Sequence, residues 1–448
     1  MTSPSHETFR SVRGDGSPPT APLPFFYGWV VTVCAFCILF LTYGVQYSFG
    51  VFLPAMLDDL GWQRASIAGA FSLYTMMYSG CSWLSGRLTD SRGPRFVIAL
   101  GGILLGVGIM ATSRMTATWH LYVFYGLIAS LGMSTAYIPC NTTVVKWFQR
   151  KRGLALGLAS SGSSCGILTL PPLASYLIAH WGWRPVYCAF GVLILLLLLI
   201  ISRFMVRSPE LLGLAPDGDA PATSSSFQNN ETQQSLVITG WTLREAWTLP
   251  SFWLFFVLFV IMLFTVPVPF VHIVSFARDL GFSSTQGAVA VSIMGLSAFV
   301  GSLSLGPLSD RIGRKQGLTI SLTFQVAAFV LFLSAKSLAI LYCGAAAFGF
   351  FYGSMATLFP ALMGDFFGRL HAGAITGFLF AGAGTFGAWG PMIAGYLRDT
   401  LGSYDIAFTY GIATSLLTLC LFIFTPKPPP SPTIAIEDRR PPSPLTLR

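Results

Sequence analysis

Charge is what this sequence has least of. Only 10% of its 448 residues are Asp, Glu, Lys or Arg and 53% are hydrophobic, whereas about a quarter of the residues of a soluble domain are charged. A chain so poor in charge cannot cover a water-facing surface, which excludes a soluble enzyme or regulator. No metal-ligand cluster, Ser-His-Asp set or phosphate-cradling loop follows a strand anywhere in it, so no enzymatic role, metal or cofactor is expected. The longest polar stretch between apolar runs is roughly 40 residues, below the 50 to 200 of an ordinary domain, which argues against a sensor with a soluble output module. No cleavable leader is expected either: the first two dozen residues are polar, rich in Ser, Pro and Gly, and carry Arg10 and Arg13 with no small-residue cleavage site after them. The first apolar run is then its own targeting signal. The eight cysteines all fall within apolar runs or at their ends, not in outer loops where an oxidised pair would form. Cys34 and Cys37, three residues apart with no further ligand nearby, read as helix packing.

What fills the chain instead is a series of apolar runs, most of them close to the about 20 helical residues needed to cross a bilayer. Twelve are predicted, at roughly 26 to 54, 65 to 86, 95 to 113, 119 to 144, 153 to 179, 184 to 205, 250 to 276, 284 to 305, 317 to 335, 337 to 362, 372 to 397 and 402 to 425. The formal net charge of +9 is of the sign that suits a nucleic-acid partner, but its distribution excludes one. All but Arg64, Arg114, Arg184, Arg278, Lys336 and Arg398 of the 26 basic residues lie in the tails or in alternate loops. That asymmetry orients helices with the basic side inward, so both termini are expected in the cytoplasm of a multi-pass plasma-membrane protein, the inner membrane if the source is bacterial.

The chain also repeats itself. Gly86, Leu88, Asp90 and Gly93 recur as Gly306, Leu308, Asp310 and Gly313, an offset of 220 residues that also relates Asp59 to Asp279, Gly61 to Gly281, Gly157 to Gly377, Pro171 to Pro391 and Gly182 to Gly402. Matches at one fixed offset mark a duplication. The expected organisation is a tail (1–24), a six-helix bundle (25–205), a linker (206–246), a second six-helix bundle (247–425) and a Pro-rich tail (426–448), with both tails disordered and the linker flexible.

Polar groups inside apolar runs need partners or water, so they mark the bundle interior. Gln46 and Tyr47 in the first run, Tyr137 and Asn141 in the fourth, and Tyr352 in the tenth are candidates for contacting a solute; hydrogen bonding between helices is the other reading of Gln46 and Tyr47. Tyr43 is expected to be interfacial packing. Pro139 should loosen the fourth helix, and Pro267 with Pro269 should interrupt the seventh, as in the discontinuous helices that build sites in carriers. His272 is the one ionisable group other than Cys and Tyr placed within a run and away from its ends. It is the sixth candidate for lining the cavity and the candidate proton carrier, accepting a proton near neutral pH and pairing with a substrate carboxylate; the other reading is that it simply reaches water at the helix end.

The doubled Gly-x-Leu-x-Asp-x-x-Gly phrase between the second and third and the eighth and ninth runs resembles the signature loop of the major facilitator superfamily. The stretch from Trp147 through Arg150, Lys151, Arg152, Gly153 and Gly157 to Gly162, with Tyr27, Gly28 and Trp29, resembles the monocarboxylate transporters and their oxalate-formate antiporter relatives. The resemblance implies an all-α membrane fold of twelve helices in two pseudo-symmetric bundles, rocking about a midplane cavity lined by helices 1, 4, 7 and 10, with helices 2, 5, 8 and 11 as the moving seam. It implies that Asp90 faces the start of helix 11 and Asp310 the start of helix 5, latching the cytoplasmic side with Arg92, Arg95, Arg311 and Arg314 in the same loops. One departure is informative: carboxylate carriers of this branch place a cation on helix 1, 8 or 11, and here those helices have no Lys, Arg or His within the bilayer. The expectation is a monomeric carrier of a small organic solute, a monocarboxylate moved with a proton because protonation removes a charge the site cannot neutralise. The alternative is a neutral or aromatic compound, taken up like a vitamin or exported like a drug.

Overall fold

A backbone in lipid has no water to bond, so each apolar run must close its own hydrogen bonds, and the helix does this within one segment. The computed structural model describes residues 26–148, 152–212, 214, 241–367 and 372–425, and the tails and most of the linker lie outside them. Twelve membrane-length helices result. The first six are α1 (Gly28–Leu60), α2 (Arg64–Arg92), α3 (Pro94–Ser113), α4 (Thr118–Trp147), α5 (Arg152–Trp181) and α6 (Trp183–Ser202). The second six are α7 (Pro250–Asp279), α8 (Ser284–Ile312), α9 (Arg314–Leu333), α10 (Leu338–Phe367), α11 (Ala372–Gly387 continued by Gly390–Leu401) and α12 (Asp405–Ile423).

Ten of these, among the described residues, are long and apolar enough to span a membrane on composition alone. The other two are α2 and α11. With 29 residues α2 is about 43 Å long at 1.5 Å per residue, more than a hydrocarbon layer requires. Pro391 interrupts α11, and the short pieces of 16 and 12 residues continue one another.

The duplication is visible in the backbone. An offset of 220 residues carries the bounds of α2 onto α8, α3 onto α9, α4 onto α10 and the outer bounds of α5 onto α11. Six glycines have positive φ, between +65° and +97°, and they form three pairs at that same offset: Gly61 with Gly281, Gly93 with Gly313, and Gly182 with Gly402. Each ends a helix in a conformation that a side chain resists.

Helices α4, α7 and α11 are irregular, each beside a proline, whereas α1 and α5 run unbroken through Pro54 and through Pro171 and Pro172. α4 runs through π-helical turns at Tyr122–Ala129 and loosens at residues 134–136, just ahead of Pro139. α7 breaks at Val266, between Thr265 and Pro267. Elsewhere, small residues let helix backbones touch: Gly162 and Gly166 of α5 lie directly against the carbonyls of Phe36 and Phe40 of α1.

The halves meet along three lines. α5 packs on α8, where Gly295 abuts the backbone of Leu168; α2 packs on α11, where Ser79 abuts Gly384; and α1 crosses α7, where Gly50 abuts the carbonyl of Phe270. Helices α2, α5, α8 and α11 therefore form the seam that the sequence resemblance implies.

Candidate functional site

Between the halves lies a cluster of tyrosines. Tyr43 and Tyr47 are one turn apart on α1, so both project to one side. The Tyr43 hydroxyl is 2.9 Å from that of Tyr78 on α2, and the Tyr47 hydroxyl is 2.8 Å from that of Tyr352 on α10. The second pair joins one half of the molecule directly to the other. Tyr137 of α4 adds a ring 6.4 Å from Tyr43, Phe380 of α11 one 5.9 Å from Tyr78, and Phe270 of α7 one 4.1 Å from Tyr47 and 5.1 Å from Tyr352. Gln46 sits between the two α1 tyrosines in sequence. It is 5% exposed, and its Oε1 has no hydrogen-bond partner among the described residues, a condition rare enough for a buried polar atom to ask for a reason.

The cluster is closed on the side away from the termini. Residues 41–54 of α1 and 266–277 of α7 are buried without exception. Farther along, at the face away from the termini, ion pairs bridge the halves. The Arg278 guanidinium donates to both oxygens of Asp58, at 2.9 and 3.3 Å. Asp279 accepts from Arg398 at 2.8 Å and from Arg64 at 3.4 Å, and Asp399 accepts the Ala65 amide of α2 at 2.9 Å. At the face where α1 begins and α12 ends, the terminal face, a Cβ on Gly157 of α5 or Gly377 of α11 would meet nothing within 4 Å among the described residues. Tyr137, whose ring lies 6.4 Å from that of Tyr43, is 40% exposed.

The structure brings Tyr47, Tyr137 and Tyr352 into one cluster, with Gln46 buried between Tyr43 and Tyr47 in the chain. Asn141 lies one turn farther along α4 and is half-buried, its amide donating to the Tyr137 carbonyl at 3.0 Å. Two corrections follow. Tyr43 is no interfacial packing residue: it is 8% exposed and bonded to Tyr78 at the centre. His272 faces away from the chamber. It is wholly buried, Nε2 donates to the Pro391 carbonyl of α11 at 2.8 Å, and Nδ1 lies 3.1 Å from the Tyr404 hydroxyl. A carbonyl only accepts, so Nε2 carries hydrogen and a neutral ring satisfies both bonds. His272 thus pins α7 to α11 and to the start of α12.

In the signature loops the side chains of Asp90 and Asp310 lie outside the described residues. Arg92 is exposed and stacks over Phe96 at 5.2 Å, Arg95 and Arg311 are exposed, and Arg314 folds back onto Ser309 Oγ at 2.6 Å. Sequence reasoning missed Tyr78, Phe270 and Phe380. Tyr74 and Tyr78, one turn apart on α2, repeat the spacing of Tyr43 and Tyr47, and that echo was the available signal. Among the described residues no group of three or more His, Cys, Asp or Glu is placed to hold a metal.

Comparison with known proteins agrees with this architecture. The model of the Major Facilitator Superfamily matches residues 35–274 and 261–447. Monocarboxylate transporter 12 of Rattus norvegicus is 27% identical over 414 residues, covering 88% of this chain and 84% of its own. The oxalate:formate antiporter of Oxalobacter formigenes is 27% identical over 402 residues, covering 88% and 91%. Among solved structures, a bacterial homologue of the lysosomal transporter Spinster, inward-facing and unoccupied, superposes with a TM-score of 0.65 at 14% identity over 92% of this chain and 96% of its own. The nucleoside transporter NupG superposes with a TM-score of 0.65 at 13% identity, over 89% and 100%. Two duplicated six-helix halves, joined around a buried tyrosine cluster, match that family in sequence and in fold: the chain belongs to the major facilitator superfamily and is a multi-pass membrane transporter.

Proposed function

We propose that this transporter carries a small monocarboxylate together with a proton by alternating access, and that the state described is the one open to the cytoplasm. The tyrosine cluster carries the reading: it gathers hydroxyls beside the unpartnered Gln46 amide, and among the described residues no Lys, Arg or His is bonded to them. A bare carboxylate there would lose its hydration without gaining a counter-charge, at a cost of several kcal/mol. A protonated acid offers one donor and one acceptor, which an amide such as Gln46 and the tyrosine hydroxyls complement. The relatives named as monocarboxylate and oxalate:formate carriers support the same solute class. Gln46, Tyr47, Tyr137, Asn141 and Tyr352 are proposed to contact the solute, joined by Tyr43 and Tyr78. The basic loops at the terminal face support its assignment to the cytoplasm.

The aromatic rings of the cluster favour a second reading, a neutral planar compound stacked against Tyr47 and Phe270. Uptake into proteoliposomes separates the two. With an acidic outer medium, labelled monocarboxylates should accumulate against their gradient and decline once a protonophore collapses the pH difference. Competition by neutral aromatics but not by acids, with no response to pH, would replace the first reading with the second.

A further inference from the structure

We infer that Arg278 is a carboxylate-capture site at the sealed face, and that Asp58 holds the place of the solute's carboxylate while that face is shut. This rests on the monocarboxylate reading above. Asp58 and Arg278 occupy corresponding positions of the two halves, 220 residues apart. Gly50 and Phe270 do so as well, and their backbones touch. Where residues meet their own counterparts, the internal two-fold axis runs between them, and between two such bundles a solute crosses along that axis. Arg278 therefore stands over the entrance, 11 residues or roughly 16 Å of helix beyond the level of Tyr47.

The surroundings suit a carboxylate bearing a short apolar tail. A cleft of about 370 Å³ is lined by Pro54, Leu57, Trp62, Arg64, Ser275 and Arg278, with Asp58, Gly61 and Asp279 completing it. Ser275 lies one turn before Arg278 on the same face of α7. Most hydroxyls on these helices bond a carbonyl of their own helix, but Ser275 Oγ, in a residue 2% exposed, has no partner among the described residues, and neither does the buried Arg64 Nε. Both can donate to an anion held on the Arg278 fork. Pro54, Leu57 and Trp62 offer apolar contact to the remainder, while Asp279 would repel a second carboxylate.

The fork itself shows how exchange can work. Asp58 engages both terminal nitrogens of Arg278, the two-point grip a free carboxylate would take. The pair is 38% and 63% exposed on its two side chains, so solvent screens it and breaking it costs little. When α1 swings from α7, the fork is vacated; a solute carboxylate takes it, then moves inward as Asp58 returns. The chamber need hold no fixed cation because the cation sits at the gate. Capture and chamber divide the work: charge is recognised at the entrance, and the neutralised acid is held at mid-depth.

The test uses the full-length protein in oriented proteoliposomes with a panel from acetate to octanoate plus lactate and benzoate, taking the acid carried best. Arg278→Gln should raise KM for entry at the Arg278 face about tenfold, the change expected on losing one charge-assisted bond, and leave KM for entry at the terminal face unaltered. Asp58→Asn removes the competitor and should lower KM severalfold at the same face. An ion pair acting only as a bolt predicts the opposite pattern, with both variants changing the maximal rate alike and neither changing KM; that result overturns the inference and leaves the carboxylate reading intact. If no acid of the panel is carried, the reading fails and the inference with it. Gel filtration of both variants in detergent checks folding, and Arg278→Lys, which keeps the charge, should recover part of the loss.

Discussion

At the sealed face, α1 and α7 are in backbone contact at Gly50, and the halves are tied by Arg278 to Asp58, Arg64 to Asp279, and Ala65 to Asp399. At the terminal face, among the described residues, nothing lies within 4 Å of where a Cβ on Gly157 of α5 or Gly377 of α11 would stand, and no hydrogen bond or ion pair joins the halves there. The same two bundles thus meet at one end and part at the other. The materials differ too. Within each half, helices are joined by buried contacts such as Gly162 on Phe36, whereas the outer layer of the seal, beyond the Gly50 crossing, is made of ion pairs between partly exposed side chains. Buried packing is costly to undo, and partly exposed ion pairs are each worth about 1 kcal/mol or less. Rigid halves with a weak, re-formable seal can rock without unfolding.

The largest predicted effect comes from making the seal impossible. Any Cβ at Gly50 runs into the carbonyls of Phe270 and Val271, so Gly50→Val should hold α1 and α7 apart, at a cost of about 1–3 kcal/mol or more. Uptake should be nearly abolished, and a Ser275→Cys probe in a background without native cysteines should become more reactive toward a membrane-impermeant thiol reagent. Normal uptake by this variant would mean that the sealed crossing is not part of the cycle.

Next in size is His272, which belongs to neither end. His272→Leu strands the Pro391 carbonyl and the Tyr404 hydroxyl, costing about 2 kcal/mol and lowering the melting temperature in detergent by several degrees. His272→Gln, which keeps some of that bonding, should retain the pH dependence of uptake. A flattened pH profile would make the histidine a proton carrier after all.

A smaller change is expected at the chamber. Tyr352→Phe leaves the Tyr47 hydroxyl unpaired, at about 1 kcal/mol, with KM for the solute rising severalfold. The double variant Tyr47→Phe with Tyr352→Phe should cost less than the sum of the singles, since neither hydroxyl is then stranded.

The smallest effect belongs to the periphery of the seal. Asp279→Asn weakens the pairs to Arg64 and Arg398, whose side chains are 25% and 21% exposed, and should raise Ser275→Cys labelling only about twofold, an effect that roughly 0.4 kcal/mol produces. The difference from the unaltered seal should shrink in about 0.5 M salt, where the Debye length falls below roughly 5 Å.

Much of this was legible in the chain. Periodic apolar runs specify helices because lipid leaves the backbone no other partner. The offset of 220 was readable at the glycines, since the helix ends they form need positive φ in both halves. The prolines of α4 and α7 announced their irregularities. The site was legible only in part. A tyrosine in an apolar run must find a partner, but which one depends on helices distant in sequence: Tyr43 bonds Tyr78 across 35 residues, and Tyr47 bonds Tyr352 across 305. For the same reason His272, polar and within a run, passed for a chamber residue. Nothing local reveals that its side of α7 faces α11.

What the sequence determined by itself is the list of segments, their helical state and their twofold kinship, because these follow from hydrophobicity and from local backbone preference. What only the tertiary structure decided is which polar groups share the chamber, which end of the bundle pair is shut, and that Asp58 meets its own counterpart Arg278. Those are properties of how helix faces are turned toward one another, and that rotation is set by packing between segments hundreds of residues apart.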